Sequence, residues 1–304
     1  MSTSGSPFSR LVTVPVTGST QDDLRSALRG PEAEAWPHLS ALRALRQTAG
    51  RGRSGRAWVT PDDGALLVSV VLRPLVPARL LTWVPLLAGL AVRDALEPFV
   101  RGRGWRMGTK WPNDVVAVPE SSTVVASVPG WASTRKIAGV LSELVTPEPS
   151  EGRATQLSVA DEGPAGRDEA PMVILGIGVN IGQEVDDLPV AWAGSLRTLG
   201  VVDADGDSAH AAVAEVALNA IGHQLARRLE QWEGACGDVD AGDGALGREL
   251  RAALTTLGQH VSVQAPDGEL SGLAVDVTPA LVLRNQAGDT EVRAGDVTLV
   301  RVTG

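Results

Sequence analysis

The sequence predicts an α+β protein in two parts, a large domain over residues 1–257 and a small β-barrel over 258–304. Three observations lead there. Strand-like segments cluster between helical ones instead of alternating with them, which favours α+β over regular βαβ winding. From about Gly258 the texture changes to short strands separated by turn signals, the pattern of a barrel of roughly 45 residues. Apolar residues make up 43% of the 304 and are spread along the chain, enough for a sizeable core.

Taken in order, Arg10 to Val16 alternates apolar and polar residues and reads as a strand. Ser19 or Thr20 then caps a helix whose Leu24, Ala27 and Leu28 share one face, with Gly30 as its stop. Leu39 to Arg46 reads as a strand, and Ala65 to Leu72 as a continuous apolar strand of the buried kind. Leu80 to Phe99 reads as a long buried helix, too interrupted by Pro85, Arg93 and Asp94 and too short to span a bilayer.

Short strands follow around Trp111 to Val118, Ile137 to Val145 and Met172 to Ile181. From Ser208, the residues Val213, Val216, Ala217, Ile221, Leu225 and Leu229 recur at helical spacing. Pro119 to Thr134 and Pro147 to Pro171, rich in Ser, Thr, Glu, Gly and Pro, read as mobile loops inserted in the large domain. In the barrel, His260 to Ala265, Gly272 to Val277, Leu281 to Arg284 and Val297 to Val302 read as strands.

Composition narrows the function classes. A net charge of −9 argues against a general nucleic-acid binder. One cysteine, Cys236, excludes a disulfide framework, and four scattered histidines exclude a histidine-built metal centre. The N-terminal segment lacks the apolar stretch of a secretory signal, so a soluble cytoplasmic protein is expected.

Positive charge is nevertheless concentrated in Gln47-Thr-Ala-Gly-Arg-Gly-Arg-Ser-Gly-Arg-Ala-Trp58, where Gly50, Gly52 and Gly55 alternate with Arg51, Arg53 and Arg56. Glycine allows close approach of backbone to a ligand, and arginine supplies planar, permanently charged donors, so the run suits folding over an anion. The competing reading is an RNA-binding arginine–glycine tract. That would want a basic, aromatic-bearing face, which a chain without tyrosine and with two phenylalanines does not offer.

Four further motifs accompany this run. Lys110-Trp-Pro-Asn-Asp114 offers a rigid apolar wall, an amide at Asn113 and an acidic group at Asp114 suited to Mg²⁺. Lys136-Ile-Ala-Gly139 places a lysine before small residues on a strand. Ile174-Leu-Gly-Ile-Gly-Val-Asn180 has glycines interrupting a buried strand, a mark of a bulge or of close ligand approach. Gly18-Ser-Thr-Gln21 opens a helix after a strand. Each taken alone also reads as a turn, a cap or packing.

Together and in this order, the motifs resemble those of biotin–protein ligases: GST-N, GRGR-x-GR-x-W, KWPND, K-[IL]-[AG]-G and G-[IL]-N. The resemblance covers about Val14 to Ile181, and the C-terminal β-module is similar to that family's small SH3-like domain. It implies a mixed-sheet domain of the biotin/lipoate ligase type. The implied activity forms biotinyl-5′-AMP from biotin and ATP with Mg²⁺, then transfers biotin to a lysine of a biotin carboxyl carrier domain.

Carried over by position, Ser19, Thr20, Gln21, Gln47, Gly50 and the run Arg51, Gly52, Arg53 hold biotin, with Gln21 standing where the family has Asn. Gly139 and Gly176 let a flat ring lie close to the sheet. Arg51 and Arg53 with Lys136 neutralise carboxylate and α-phosphate. Arg53, Arg56, Trp58, Asn113 and Asn180 face the nucleotide, and Asp114 is the implied Mg²⁺ ligand.

The motifs begin at Gly18, so the N-terminal winged-helix domain of the family's bifunctional members is not expected, nor is a repressor function. A lipoate or octanoate ligase of the same fold, and a non-catalytic biotin sensor, are the alternatives. The arginine-rich loop with KWPND argues against the first, and the intact Arg51, Arg53 and Lys136 against the second.

Overall fold

The computed structural model describes residues 5–59, 64–145, 163–202 and 207–300. Seven strands form one mixed sheet: β1 (Arg10–Thr17), β2 (Ser40–Gln47), β3 (Ala65–Leu72), β4 (Trp105–Lys110), β5 (Asp114–Pro119), β6 (Arg135–Val145) and β7 (Met172–Asn180). Their spatial order is β1-β2-β3-β7-β6-β5-β4, with β1 parallel to β2 and the remaining pairs antiparallel. Among the described residues four helices accompany them: α1 (Thr20–Arg29), α2 (Val84–Val100), α3 (Asp207–Gly234) and α4 (Ala245–Ala253).

A second, antiparallel sheet follows, made of β8 (His260–Ala265), β9 (Gly268–Val277), β10 (Leu281–Asn285), β11 (Gly288–Val292) and β12 (Asp296–Leu299) in the order β11-β10-β9-β8-β12. Among the described residues no helix is long and apolar enough to cross a membrane.

The two faces of the large sheet are clothed differently. Leu66, Val68 and Val70 of β3 and Leu175, Ile177 and Val179 of β7 point to one face, into a core shared with α2 and α3. Helix α2 is buried on nearly every side, which explains its continuous apolar run. On the opposite face Val71 and Ile174 meet Leu24 and Leu28 of α1. Ser19 caps α1, its hydroxyl accepting from the Asp22 amide, and Asp22 and Asp23 sit in the first turn where the helix dipole favours negative charge.

Farther along that face β7 carries Gly176 and Gly178 where side chains would otherwise project, and Gly178 lies opposite Gly139 of β6. The face is therefore hollow beyond α1. A register shift between Val115 and Val116 pairs Val115 with Ala138 but Val116 with Lys136, leaving Ile137 as an extra residue. Such a bulge reverses side-chain phase. Lys136 and Gly139, three residues apart, thereby share the hollow face, while Ile137 is fully buried in the core.

Several expectations are corrected. The strand expected over Trp111 to Val118 begins only at Asp114, as β5, because Trp111 to Asn113 form the turn that leads out of β4, a strand the sequence did not suggest. The long helix begins at Val84, not Leu80, because Pro85 favours a first-turn position; Ala78–Trp83 forms a 3-10 turn ahead of it. Val216 is 59% exposed and does not belong to the buried stripe of α3. The segment 119–134, expected as a mobile loop, is anchored: Trp131 is buried, and the Leu299 amide donates to the Gly130 carbonyl. Of the second expected loop, residues 147–162 lie outside the described residues, while Arg167 pairs with Glu233 of α3.

Candidate active site

The hollow face is a cavity of about 670 Å³ bounded by α1, the Gly–Arg loop, the β4–β5 turn, the start of β6 and β12. Every candidate residue from the sequence except Gly50 lines it. Gly50 sits at the neck of the loop, where a Cβ would come 2.5 Å from the Trp58 carbonyl oxygen.

One end of the cavity is polar and buried. Gln47 Oε1 accepts from the Thr20 amide at 2.7 Å and from its hydroxyl at 3.0 Å, and the Thr20 and Ser69 hydroxyls are 2.8 Å apart. Ser19, Thr20, Gln21 and Ser69 are each at most 4% exposed. Buried polar groups are costly unless satisfied, so a cluster of hydroxyls and amides facing a cavity suits a neutral ligand with both donors and acceptors. Gln21 lies over Gly176, where a Cβ would meet its Oε1 at 2.8 Å, and its amide donates at 3.5 Å to Glu143, which Arg25 also holds.

The Gly–Arg loop closes on itself. Gly52 N donates to Arg56 O at 2.7 Å and Trp58 N to Gly50 O at 2.9 Å. Between them, Ser54 and Gly55 take positive φ of 54° and 73°. The loop lays the Trp58 indole across the glycine floor: a Cβ on Gly178 would come 2.6 Å from Trp58 Cε2, and one on Gly139 would come 2.9 Å from Cζ3. The buried Trp58 Nε1 has no hydrogen-bond partner.

Each cation of the site is held by oxygen. Arg51 donates to Asp22 and Arg56 to Asp296, both at 2.6 Å, and Lys136 Nζ is 2.6 Å from Asp114 Oδ1. Burial pushes the Asp22 carboxyl up, but hydrogen bonds from Arg25 and Arg51 outweigh this and keep it below the usual carboxylate range. Arg53 reaches Asn113 Oδ1 at 3.3 Å and the Gly295 carbonyl at 3.4 Å, and burial lowers its pKa. A cluster of cations neutralised by surface and half-buried carboxylates can exchange these partners for the oxygens of an anionic ligand.

The two asparagines brace neighbouring backbone, one a strand and the other a loop. Asn113 Nδ2 donates to Val140 O at 2.6 Å, and Asn180 Nδ2 to Gly194 O at 2.9 Å. Among the described residues no group of three His, Cys, Asp or Glu could form a metal cage. Asp114 remains an acidic donor beside Lys136.

The structure adds residues that sequence reasoning left without a role. Lys110 is buried, donates to the Val297 carbonyl at 2.6 Å and lies 4.1 Å from the Trp131 ring centroid; burial pushes its pKa down to about 8. Trp131 stacks on Trp192 with centroids 5.7 Å apart and planes at 8°. Asp296, Val297 and Thr298 of β12 bring the C-terminal sheet to the cavity wall. A tryptophan inside a Ser/Thr/Pro-rich stretch is a signal that could have marked Trp131. Asp296 carries none.

Comparison with known proteins gives a consistent result. The Biotin/lipoate A/B protein ligase family model matches residues 14–160. A biotin--[acetyl-CoA-carboxylase] ligase of Mycobacterium tuberculosis is 31% identical over an alignment covering 98% of this chain and 91% of that one. The protein of the same name from Paracoccus denitrificans is 29% identical, covering 92% and 97%. Among solved structures, the biotin protein ligase from Aquifex aeolicus in complex with biotin and ATP superposes with a TM-score of 0.64 at 22% identity. That match covers 97% of this chain and 100% of the other, a likeness of fold.

Proposed function

The chain belongs to the biotin–protein ligases of the biotin/lipoate A/B protein ligase family, and from that membership we propose the following division of labour in its cavity. The enzyme joins biotin to ATP as biotinyl-5′-AMP, releasing pyrophosphate, and transfers biotin to a lysine of a biotin carboxyl carrier domain, releasing AMP. The observation that carries this reading is the continuity of one cavity from a buried neutral-polar end, over a glycine floor, to a cluster of arginines and Lys136.

Biotin's ureido ring is neutral, with donors and acceptors, and suits the Ser19, Thr20, Gln21, Gln47 and Ser69 end. Its carboxylate then points across Gly176 towards Gly139 and Lys136. Carboxylate and α-phosphate repel each other. Lys136, with Arg51 and Arg53, supplies the positive charge that lets a carboxylate oxygen attack the α-phosphorus while pyrophosphate leaves. Arg53, Arg56 and Trp58 lie on the nucleotide side, where Asn113 holds β6 and Asn180 holds the loop at Gly194.

Mg²⁺ binds through one or two carboxylates plus substrate phosphates more often than in a protein cage, so a single acidic donor at Asp114 fits. When bound it would screen charge on the departing pyrophosphate. Asp114, freed of its ion pair when Lys136 turns to phosphate, would be the residue to hold it. The folded loop excludes water from the mixed anhydride until the acceptor amine attacks the acyl carbon. The full-length relatives are named as biotin ligases, which favours biotin over lipoate or octanoate, and the intact cation set speaks against a sensor.

Separating the two half-reactions tests these roles. Lys136→Ala is expected to slow adenylation at least about a hundredfold, the scale of losing one preorganised charge, while transfer from supplied biotinyl-AMP to a carrier domain persists. Equal loss of both steps contradicts the role given to Lys136.

A further inference from the structure

Lys110 takes no part in the roles given above, although it is a cation in the wall of the same cavity. We propose that Lys110 is a leaving-group contact, whose ammonium receives pyrophosphate as that group departs from the α-phosphorus. This rests on the ligase reading above and adds one residue to it.

Its position follows from strand register. Gly178 of β7 lies opposite Gly139 of β6, Gly139 opposite Asp114 of β5, and Asp114 opposite Lys110 of β4. Residues directly opposite each other point to one face, so the four form a row across the hollow side of the sheet. Neighbouring strands are about 4.8 Å apart, which puts Lys110 about 10 Å beyond Gly139 along that row. Lys136 stands over the Gly139 step, its Nζ 3.3 Å from where a Cβ would be.

The row has a direction. Its buried polar end, with Thr20 and Ser69, lies on the β3 side of Gly178, and biotin's carboxylate comes from there. Attacking and leaving oxygens stand roughly in line at phosphorus. The carboxylate oxygen therefore bonds to the α-phosphorus from the β7 side, and the bond to pyrophosphate breaks towards β5 and β4. The electron pair of that bond goes to the departing oxygen. Lys110 stands at this end, donates a hydrogen bond to a pyrophosphate oxygen and keeps its proton.

The surroundings of Lys110 suit an anion that comes and goes. Lys110 is 6% exposed, yet unlike Arg51, Arg56 and Lys136 it has no carboxylate partner among the described residues. Its one oxygen partner among them is the Val297 carbonyl at 2.6 Å. An ammonium has three donors, so capacity remains for a ligand. The Trp131 ring, with its centroid 4.1 Å from Nζ, fixes the ammonium without adding negative charge. A buried cation without a counter-ion is costly in the empty protein, and an anionic ligand offsets that cost.

The test uses the full chain and Lys110→Met, which keeps the length of the side chain and removes its charge. Calorimetry measures binding of inorganic pyrophosphate and of AMP. Supplied biotinyl-AMP is then followed in two directions, to ATP with added pyrophosphate and to a biotinylated carrier domain. The variant should bind pyrophosphate at least about tenfold more weakly, the scale of one hydrogen bond to a charged group, and KM for pyrophosphate should rise equally. AMP binding, and transfer to the carrier domain, should stay within about twofold of wild type. Lys110→Arg restores the charge and should recover most of the pyrophosphate affinity.

A Met variant that binds pyrophosphate as wild type does overturns the proposal. So does one that loses AMP and pyrophosphate equally, the mark of a damaged joint between the two sheets, and so does an Arg variant as weak as the Met variant. Wild-type protein that binds pyrophosphate through Lys110 but makes no ATP from biotinyl-AMP would instead fail the ligase reading and leave the contact standing.

Discussion

Gly178→Ala tests how the Gly–Arg loop and the sheet share the site. Neither Gly178 nor Gly139 has a positive φ, so alanine costs no backbone strain there and slightly restricts the unfolded chain, a gain of about 0.4–1 kcal/mol. Against this, the new Cβ would stand 2.6 Å from Trp58 Cε2 and 2.7 Å from Cζ2, where ordinary contact begins at 3.4 Å. The ring must move by 3.4 − 2.6 = 0.8 Å. Trp58 rides on a loop whose Arg51, Ser54, Gly55 and Arg56 are exposed, so the ring yields and the sheet does not.

The expected outcome is a melting temperature within about 3 °C of wild type, together with a KM for ATP raised at least about fivefold as the indole leaves its seat. Differential scanning fluorimetry and pyrophosphate exchange at varied ATP measure the two quantities. A fall in melting temperature beyond about 8 °C with KM unchanged would mean that Trp58 is core packing and not a ligand wall. That result refutes the reasoning.

Two further outcomes are expected. The Lys110 ammonium has its pKa pushed down by burial to about 8, below the ordinary value of about 10.4, so between these values the unfolded chain binds more protons and stability rises with pH. Lys110→Met should therefore exceed wild type by about 1–3 kcal/mol below pH 8 and lose that advantage near pH 10, read by urea unfolding at both ends; a pH-independent difference contradicts it. Arg53 ties the loop to Asn113 and to Gly295, so Arg53→Ala should leak biotinyl-AMP into solution. Ultrafiltered reaction mixtures with no more free adenylate than wild type, and transfer intact, would remove that role.

Local patterns made much of the architecture legible. The Ser19 cap, the Gly30 stop and the apolar run Ala65 to Leu72 each follow from neighbouring residues, and the structure has them where the sequence suggests. Strand β4 escaped because Arg106-Met-Gly-Thr-Lys has no alternation. Its burial comes from α2 and from Thr255, whose side chain would lie 2.7 Å from a Cβ on Gly108. Helix α4 is short and follows a glycine-rich turn, so its amphipathic stripe of Leu246 and Leu250 gave too few repeats.

The site divides in the same way. Residues within motifs could be named because their types and spacing carry the chemistry. Asp22, Asp296 and Trp192 could not, because they enter through tertiary contacts with Arg51, Arg56 and Trp131. The bulge at Ile137 is the clearest case. No sequence period puts Lys136 and Gly139 on one face, and only the pairing with Val115 and Val116 does so.

The most direct test of the central claim is biotin-dependent exchange of labelled pyrophosphate into ATP in the presence of Mg²⁺, with lipoate and octanoate run beside it. Exchange with biotin, and background rates with the other two acids, is the predicted result. Exchange driven by lipoate or octanoate, or by no acid at all, would contradict the account.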